Sequence, residues 1–257
     1  MNLLAFGDVC GEAGLRIACG KLRALKKYYG ADVCVINGEN ADVLGIKPEQ
    51  ARRLFEGGAD IVTLGNHVWN RLQIKNELEE NRFLLRPHNL SPRAPGAGYV
   101  RLPLNSGRRL VIVCLVGRLE CVWNADSPFH TLETLMREYG EDVFAVDFHA
   151  EATSEKAALA HCFDGRAAAV FGTHTHVQTS DERVLPGGTG FITDLGMTGP
   201  RYSVLGVKVE QSVSTFLGDV PSRYESPDTE AVMEGAVFAI DEVSGKCTGV
   251  ERIRVEE

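Results

Sequence analysis

Side chains that can bind metal ions follow five short apolar runs in this sequence of 257 residues. If these runs are parallel strands, their carboxyl ends meet at one edge of a sheet, which is where open α/β sheets bind ligands. The side chains at these ends offer carboxylate, amide or imidazole groups, and they are Asp8, Glu39, Asn40, Asn66, His149, His174 and His176. Each motif alone is a weak signal, because Gly-Asp and Asn-His pairs also suit ordinary turns. Together they predict a metal site.

The mixture of imidazole and oxygen ligands indicates which ions would bind. Ca²⁺ and Mg²⁺ prefer oxygen ligands, whereas Mn, Fe and Zn also accept imidazole. The candidate ligands are too many for one tetrahedral ion, but they fit two ions that share a carboxylate. In two-metal phosphatase sites the ions lie about 3.5–4 Å apart, lower the pKa of bound water and neutralise phosphoryl charge. We therefore expect two divalent or trivalent ions per chain, Fe or Mn in preference to Zn or Mg.

Alternating strands and helices are predicted to position these side chains. Strands at 2–6, 32–36 and 61–64 are separated by helical apolar spacing at 12–29 and 48–57, an order that implies parallel strands with crossover helices. The later predicted elements are a helix at 70–81, a strand and turn at 84–89, a hairpin of 99–104 with 110–116, an irregular stretch at 117–129, a helix at 131–139, a strand at 143–148, a helix from the N-cap Ser154 to Cys162, a strand at 167–172, a strand with a glycine-rich loop at 191–199, a helix at 209–217 and a hairpin of 231–240 with 249–255.

Composition places the chain among ordinary globular proteins, with 44% hydrophobic and 24% charged residues. The length suits a single domain, 1–257, because no linker, repeat or low-complexity tract interrupts it. A net charge of −8 argues against wide electrostatic capture of nucleic acid, although a metal site could still attract a small phosphoester.

The cysteines and the apolar runs indicate where the protein works. Seven cysteines are scattered without a Cys-x-x-Cys pair, which fits a reducing compartment better than a disulfide framework. The N-terminus starts a strand rather than a signal peptide, and no apolar run reaches transmembrane length. We expect a cytoplasmic protein without a membrane partner.

The strand-end residues belong to longer and more specific motifs. These are Gly7-Asp8, Ile36-Asn37-Gly38-Glu39-Asn40-Ala41, Gly65-Asn66-His67, Arg86-Pro87, the stretch 147–156, Asp164-Gly165-Arg166, the stretch 172–179 and the stretch 193–200. The motifs resemble those of the calcineurin-like metallophosphoesterases, and they match the YmdB-like branch over nearly the whole chain. The resemblance implies an α/β fold of metallophosphoesterase type, a layered sandwich of mixed β-sheets flanked by helices, with a di-metal site at the strand C-terminal ends.

The same resemblance implies a role for each residue. Asp8, Glu39, Asn40 and His176 would hold the first metal, and Glu39, Asn66, His149 and His174 the second, with Glu39 as the bridge. A hydroxide between the ions would attack phosphorus. His67 would protonate the leaving oxygen as general acid, a task that suits an imidazole. The implied substrates are 2′,3′-cyclic nucleotides or other small phosphodiesters.

The sequence departs from the wider superfamily in three ways and from the YmdB-like branch in one. The usual bridging Asp is Glu39, and the usual Gly-His-x-His is Gly172-Thr173-His174-Thr175-His176, both of which are also features of the branch. The Asp-x-His of the wider superfamily is Asp8-Val9-Cys10 here. Cys10 could bind a soft metal, but the resemblance favours Asn40 as the ligand in its place. Asn70 stands where the YmdB-like branch has an aspartate after the tryptophan, which alters a contact beyond the metal ligands.

Several alternatives stay open at this point. Arg86 and Arg118 are explained equally well as phosphate ligands and as surface or loop-anchoring residues. Trp69 could stack on a base, although packing is the commoner role of such an aromatic. The competing functions are a phosphomonoesterase, a metal- and nucleotide-binding regulatory protein with little turnover, and an RNA-cleaving nuclease. His67 argues against the regulator, because binding alone needs no general acid, and the acidic charge argues against the nuclease. A homo-oligomer suits the family, but no sequence feature specifies one.

Overall fold

Two β-sheets form the centre of the fold in a computed structural model that describes residues 1–122, 124–220 and 222–257. The helices in these residues are Gly11–Tyr28 (α1), Pro48–Gly57 (α2), Ile74–Glu80 (α3), Pro128–Glu138 (α4), Thr153–Cys162 (α5) and Val209–Leu217 (α6). The strands are Asn2–Phe6 (β1), Asp8–Val9 (β2), Val33–Asn37 (β3), Ile61–Thr63 (β4), Leu84–Leu85 (β5), Tyr99–Pro103 (β6), Arg109–Val116 (β7), Val143–His149 (β8), Ala169–Thr173 (β9), Arg183–Val184 (β10), Gly190–Ile192 (β11), Met197–Pro200 (β12), Ala231–Asp241 (β13) and Lys246–Glu256 (β14).

Both sheets are mixed, as the sequence predicts. The first has the order β2-β12-β13-β1-β3-β4-β5, with β14 paired to β13, and the second has the order β10-β11-β9-β8-β7-β6. Strands β1, β3, β4 and β5 are parallel neighbours in the first sheet, and β7, β8 and β9 are parallel neighbours in the second. The predicted hairpins form as the antiparallel pairs β6–β7 and β13–β14.

The apolar residues form three layers of core around these sheets. Leu4 and Ile36 share one cluster with residues of α1 and α2, on the outer face of the first sheet. Their strand neighbours Leu3 and Val35 point the opposite way and pack against the second sheet, because successive strand side chains alternate between faces. A third cluster covers the outer face of the second sheet with α4 and α5. The result is the α/β/β/α sandwich that the resemblance implies.

Local chemistry sets several helix ends. Pro48 occupies the first turn of α2, where a missing N–H costs nothing. Ser127 caps α4 by accepting a hydrogen bond from the backbone N–H of His130. Gly58 follows α2 with a φ of 122°, a conformation that favours glycine.

Some predicted elements differ in extent or type. The helix predicted at 70–81 is only Ile74–Glu80, because the chain before it makes turns such as Asn70 N–H to the His67 carbonyl. The N-cap of α5 is Ala152 without a side-chain bond, so the assignment to Ser154 is wrong. The end of the predicted glycine-rich loop is strand β12, whose backbone groups pair with β2 and β13. Helix α4 begins at Pro128, inside the stretch predicted to be irregular, and Trp123 of that stretch lies outside the described residues.

Candidate active site

The carboxyl ends of parallel strands from both sheets meet at one place. Glu39 follows β3 of the first sheet, whereas His149 ends β8 and His174 follows β9 of the second. One ligand atom from each of these three residues lies within 4.8 Å of the other two. His149 Nε2 lies 2.6 Å from Glu39 Oε1, 3.0 Å from His174 Nδ1 and 2.9 Å from the amide oxygen of Asn66. The structure thus brings together all four residues that the resemblance assigns to the second metal.

The remaining candidate ligands lie beside this group, and two of them have a buried oxygen without a hydrogen-bond partner. Oδ1 of Asp8 and Oδ1 of Asn40 are buried and accept no hydrogen bond from any residue that the structure describes. His176 Nε2 lies 4.0 Å from Asp8 Oδ1. Burial of an oxygen without a partner costs free energy, and a bound cation would supply the missing partner to both oxygens. The donor set therefore fits the metal chemistry that the sequence indicates.

Hydrogen bonds behind the ligands orient two of the imidazoles. The Thr173 hydroxyl donates to Asp147 Oδ1 at 2.7 Å and lies 2.9 Å from His149 Nδ1. Since the hydroxyl has only one proton to donate, it accepts the Nδ1 proton of His149, so Nε2, which faces Glu39, is the nitrogen that would lose its proton to hold a metal. In the same way, His176 Nδ1 lies 2.9 Å from the carbonyl oxygen of Leu205 and presents Nε2 towards Asp8. Such outer contacts fix the tautomer of a ligand histidine.

The two buried carboxylates are ionised near neutral pH. Burial alone would raise the pKa of Glu39, but the charge and hydrogen bond of His149, with the nearby His67, lower it to about 2. Burial raises the pKa of Asp8 to about 6, and His149 and His176 act against this rise. Burial also lowers the pKa of His174 to about 3, so its ring is neutral and able to bind metal.

Gly65 allows the first and second sheets to bring their ligands into contact. A Cβ built at this position would lie 2.3 Å from Glu39 Oε2 and 2.4 Å from His149 Nε2. No side chain fits between these groups, so only glycine permits the approach. The Gly65 of the sequence motif is thus explained by close packing as well as by the turn.

The loop that carries the last two histidines has an unusual backbone. His174 and His176 have φ values of 103° and 61°, a region that non-glycine residues rarely adopt. The buried Asp194 holds the loop by accepting the Thr175 N–H at 3.1 Å, and it is itself paired with the buried Lys156 Nζ at 2.7 Å. Strained backbone of this kind persists where surrounding contacts enforce it, and it clusters at functional sites.

His67 lies in the same cavity but has different contacts from the other histidines. This cavity has a volume of about 330 Å³ and is lined by Glu39, Asn40, His67, His174 and His176, among others. The His67 backbone N–H donates to Glu39 Oε2 at 3.1 Å. Its Nδ1 lies 3.4 Å from the amide nitrogen of Asn70, and burial lowers the pKa of its ring below the usual value. The ring thus shares the cavity with the ligands without joining their cluster.

Comparisons with known proteins are consistent with this geometry. A family model described as YmdB-like protein matches residues 4–253. The chain belongs to the YmdB-like family. This family lies in the metallophosphoesterase superfamily, so the resemblance drawn from the sequence motifs is confirmed.

Individual proteins are similar to this chain over its full length. The chain is 38% identical over 260 residues to the 2′,3′-cyclic-nucleotide 2′-phosphodiesterase of Bacillus subtilis (strain 168), covering 100% of this chain and 98% of that protein. A crystal structure of a hypothetical protein from Thermus thermophilus is 39% identical, with a TM-score of 0.92 and complete coverage of both chains. A crystal structure of a phosphatase from Mycoplasma pneumoniae is 34% identical, with a TM-score of 0.93, covering 100% of this chain and 93% of that one.

Arg86 and Arg118, the two candidate phosphate ligands, do not line the cavity that contains the candidate metal ligands. Arg86 is buried and donates to the carbonyl oxygens of Pro87, Ala94 and Pro95, so it anchors the loop 91–98. Arg118 lies beside Glu155, at a separate surface depression. The structure favours the loop-anchoring role for the first and gives the second no contact with the candidate ligands.

Trp69, His88, His130 and His161 do not line the ligand cavity, whereas Cys10 lies next to a candidate ligand. Trp69 packs against the outer core of the first sheet, as the packing interpretation predicts. Cys10 is buried with its sulfur 3.6 Å from His176 Nδ1, and burial raises the pKa of its thiol. His130 and His161 are exposed, and His88 stacks edge-on against Tyr99.

Sequence reasoning gives no role to several residues that support the YmdB-like site. Asp147 interrupts an apolar strand and anchors Thr173, and Lys156 is fully buried within α5. Glu151 Oε2 lies 3.0 Å from His174 Nε2 and lines the cavity. A charged residue inside an otherwise apolar run is the available signal for Asp147, because burial of an unpaired charge is rare.

Finally, the described residues include no helix long and apolar enough to cross a membrane.

Proposed function

We propose that this chain is a metal-dependent phosphodiesterase that hydrolyses small phosphodiesters, with 2′,3′-cyclic nucleotides as the favoured class. The observation that carries the proposal is the convergence of Glu39, His149 and His174 beside the uncompensated oxygens of Asp8 and Asn40. The Bacillus subtilis relative supports the substrate class through its name, which specifies cleavage at the 2′ oxygen. Cleavage of that bond would leave a 3′-phosphate.

We assign two ions, Fe or Mn in preference to Zn or Mg, to the ligand sets that the sequence motifs imply. Asp8, Glu39, Asn40 and His176 would hold the first ion. Glu39, Asn66, His149 and His174 would hold the second. When bound, the ions supply activation of water and neutralisation of charge on the phosphoryl oxygens.

His67 is proposed as the general acid. It lies in the cavity with the ligands, yet its backbone rather than its ring contacts Glu39. The contact between its Nδ1 and Asn70 leaves Nε2 to give a proton to the departing oxygen. The lowered pKa of the ring makes it a better proton donor but leaves a smaller fraction protonated at neutral pH.

Phosphorus NMR of the purified protein with 2′,3′-cyclic AMP, after loading with Mn²⁺ or Fe²⁺, tests the activity. The expected result is one new monophosphate signal at the position of the 3′-monophosphate. The matched control is Glu39→Gln, which removes the proposed bridge and should give no product. A chain that hydrolyses 3′-AMP but not the cyclic diester would favour a phosphomonoesterase and contradict the proposal.

The same preparation addresses the nuclease alternative. A short RNA incubated with the protein should stay intact, because a chain with a net charge of −8 is expected to bind a polyanion weakly. Cytoplasmic location and assembly into a homo-oligomer stay predictions.

A further inference from the structure

The metal-ligand cavity adjoins a second and larger cavity of about 760 Å³. Both are lined by residues of α1, of the loop after β3, and of the segment 222–228. The shared lining residues are Gly11, Val43, Leu44, Tyr224 and Ser226. A substrate whose phosphate lies among the ligands therefore has room to extend in one direction, across Tyr224.

The charges of the larger cavity are largely paired within the protein. Lys47 Nζ lies 2.9 Å from Asp42 Oδ1, and Arg71 also pairs with this carboxylate. Glu225 pairs with Lys208 at 2.6 Å. Because these charges are already neutralised by their partners, they attract a second phosphate only weakly. This space therefore suits a polar but uncharged group.

Two side chains of the segment 222–228 could receive such a group. Tyr224 is 40% exposed and is the aromatic residue that lines both cavities. The Ser226 hydroxyl oxygen is buried, and no described residue gives it a hydrogen bond. A buried hydroxyl without a partner indicates a missing one.

The backbone between these two residues is fixed to the rest of the fold. The Glu225 N–H donates to Gln211 Oε1 of α6 at 2.8 Å, and its carbonyl accepts the Lys208 N–H at 2.9 Å. The backbone of Tyr224 and Ser226 is therefore held in place on either side of an anchored residue. An anchored backbone reduces the entropy that the segment loses when a ligand binds.

We propose that the larger cavity binds the nucleoside part of the substrate, with its base stacked on Tyr224 and a hydrogen bond to the Ser226 hydroxyl. This inference rests on the proposed phosphodiesterase activity and names the part of the site that selects nucleotides over smaller diesters. Arg223, which precedes Tyr224 and lines the same cavity, adds a guanidinium that can also stack on bases.

The test compares a cyclic nucleotide with a cyclic diester that lacks a base. For Tyr224→Ala, we expect the KM for 2′,3′-cyclic AMP to rise about tenfold, since stacking on an aromatic residue contributes an effect of this size. The kcat/KM for glycerol 1,2-cyclic phosphate should stay within about twofold of wild type. Tyr224→Phe keeps the ring and should behave like wild type. Tyr202→Ala, which removes an exposed tyrosine outside both cavities, is the matched control.

Ser226→Ala tests the second contact independently. Loss of one hydrogen bond should raise the KM for the cyclic nucleotide about fivefold, again without an effect on the glycerol diester. Equal losses on both substrates, or none on either, would overturn the proposed nucleoside site while leaving the phosphodiesterase activity intact.

Binding of adenosine separates this inference from the activity itself. In a saturation-transfer NMR titration, wild-type protein should bind adenosine saturably, and Tyr224→Ala should bind it at least about fivefold more weakly. A wild-type protein that hydrolyses neither diester contradicts the proposed function. One that shows no binding of adenosine contradicts the nucleoside site, whatever its activity.

Discussion

His67 differs from the other histidines of the site in what its ring contacts. The rings of His149 and His174 lie against each other and against Glu39, whereas the His67 ring meets Asn70. A ligand and an acid need different surroundings, because a ligand must stay deprotonated and an acid must carry a proton. The His67 ring stands apart from the ligand cluster, which leaves it free for the second task, although burial lowers its pKa.

Removal of this ring should affect chemistry without affecting metal binding. For His67→Ala, we expect a fall in kcat of about 10²- to 10⁴-fold on 2′,3′-cyclic AMP, since its leaving oxygen needs a proton. The fall should be much smaller on bis(4-nitrophenyl) phosphate, whose leaving group departs as a stable anion. Steady-state kinetics on both diesters, with metal content measured in parallel, makes the comparison. An equal loss on both would argue against the role of acid.

The residue beside His67 should control the pH range of activity. Burial lowers the pKa of His67, and the neutral Asn70 does nothing to offset this, whereas a carboxylate there would favour the protonated ring. An acid works while protonated, so activity falls as pH rises through its pKa. Asn70→Asp should therefore move the alkaline limb of the kcat profile upward, by about one pH unit. Asn70→Ala is the control and should not produce an upward shift.

At the scale of the elements, the site depends on how closely the two sheets approach. The ligands after β3 and β4 come from one sheet, and those at the ends of β8 and β9 come from the other. Gly65 lies where these groups meet, and its α-carbon faces both Glu39 and His149. The strand ends can therefore form one site only while this position stays small.

Gly65→Ala should abolish metal binding while the sheets still form. The added Cβ would overlap atoms of Glu39 and His149 and push these ligands apart. Metal analysis should show a loss of both ions, and circular dichroism should show a native spectrum. Gly20→Ala in α1 is the matched control, since its Cβ would meet nothing within 4 Å. That change should add up to about 1 kcal/mol to the free energy of unfolding.

The sequence predicts the bounds of a strand well where the strand is a continuous apolar run, and poorly where it is not. It predicts the strands β1 and β3 to within one residue, because continuous apolar runs indicate a strand buried on both faces. It places strand β12 in a glycine-rich loop, since the pairing of this strand with β2 and β13 is a long-range contact that local pattern does not reveal.

The candidate ligands are predictable for a related reason. The carboxyl ends of neighbouring parallel strands lie at the same edge of a sheet, so Glu39 after β3 and Asn66 after β4 can be grouped from the order of elements. His149 belongs to the other sheet, so its approach to Glu39 depends on how the two sheets pack. Their supporting residues are not predictable in this way. The contacts of Asp147 with Thr173 and of Lys156 with Asp194 depend on side-chain positions across separate strands and helices.

At the scale of the whole molecule, one core lies between the sheets and includes residues of both. Leu3 and Val35 of the first sheet share this cluster with Ile112 and Phe171 of the second. We predict from the sequence that 1–257 forms a single domain, so unfolding by urea should follow one transition by fluorescence and circular dichroism alike. Two separated transitions would contradict this prediction.

These strand ends are proposed to hold two metal ions. The most direct measurement is the number of ions per chain, by mass spectrometry of protein reconstituted with Mn²⁺ or Fe²⁺, for wild type, Glu39→Gln and the exposed control His161→Gln. We predict two ions for wild type and for the control, and fewer than one for Glu39→Gln, because both ions lose a ligand. Wild-type protein that binds no ion, or a Glu39→Gln variant that keeps both, would contradict a two-ion site bridged by Glu39.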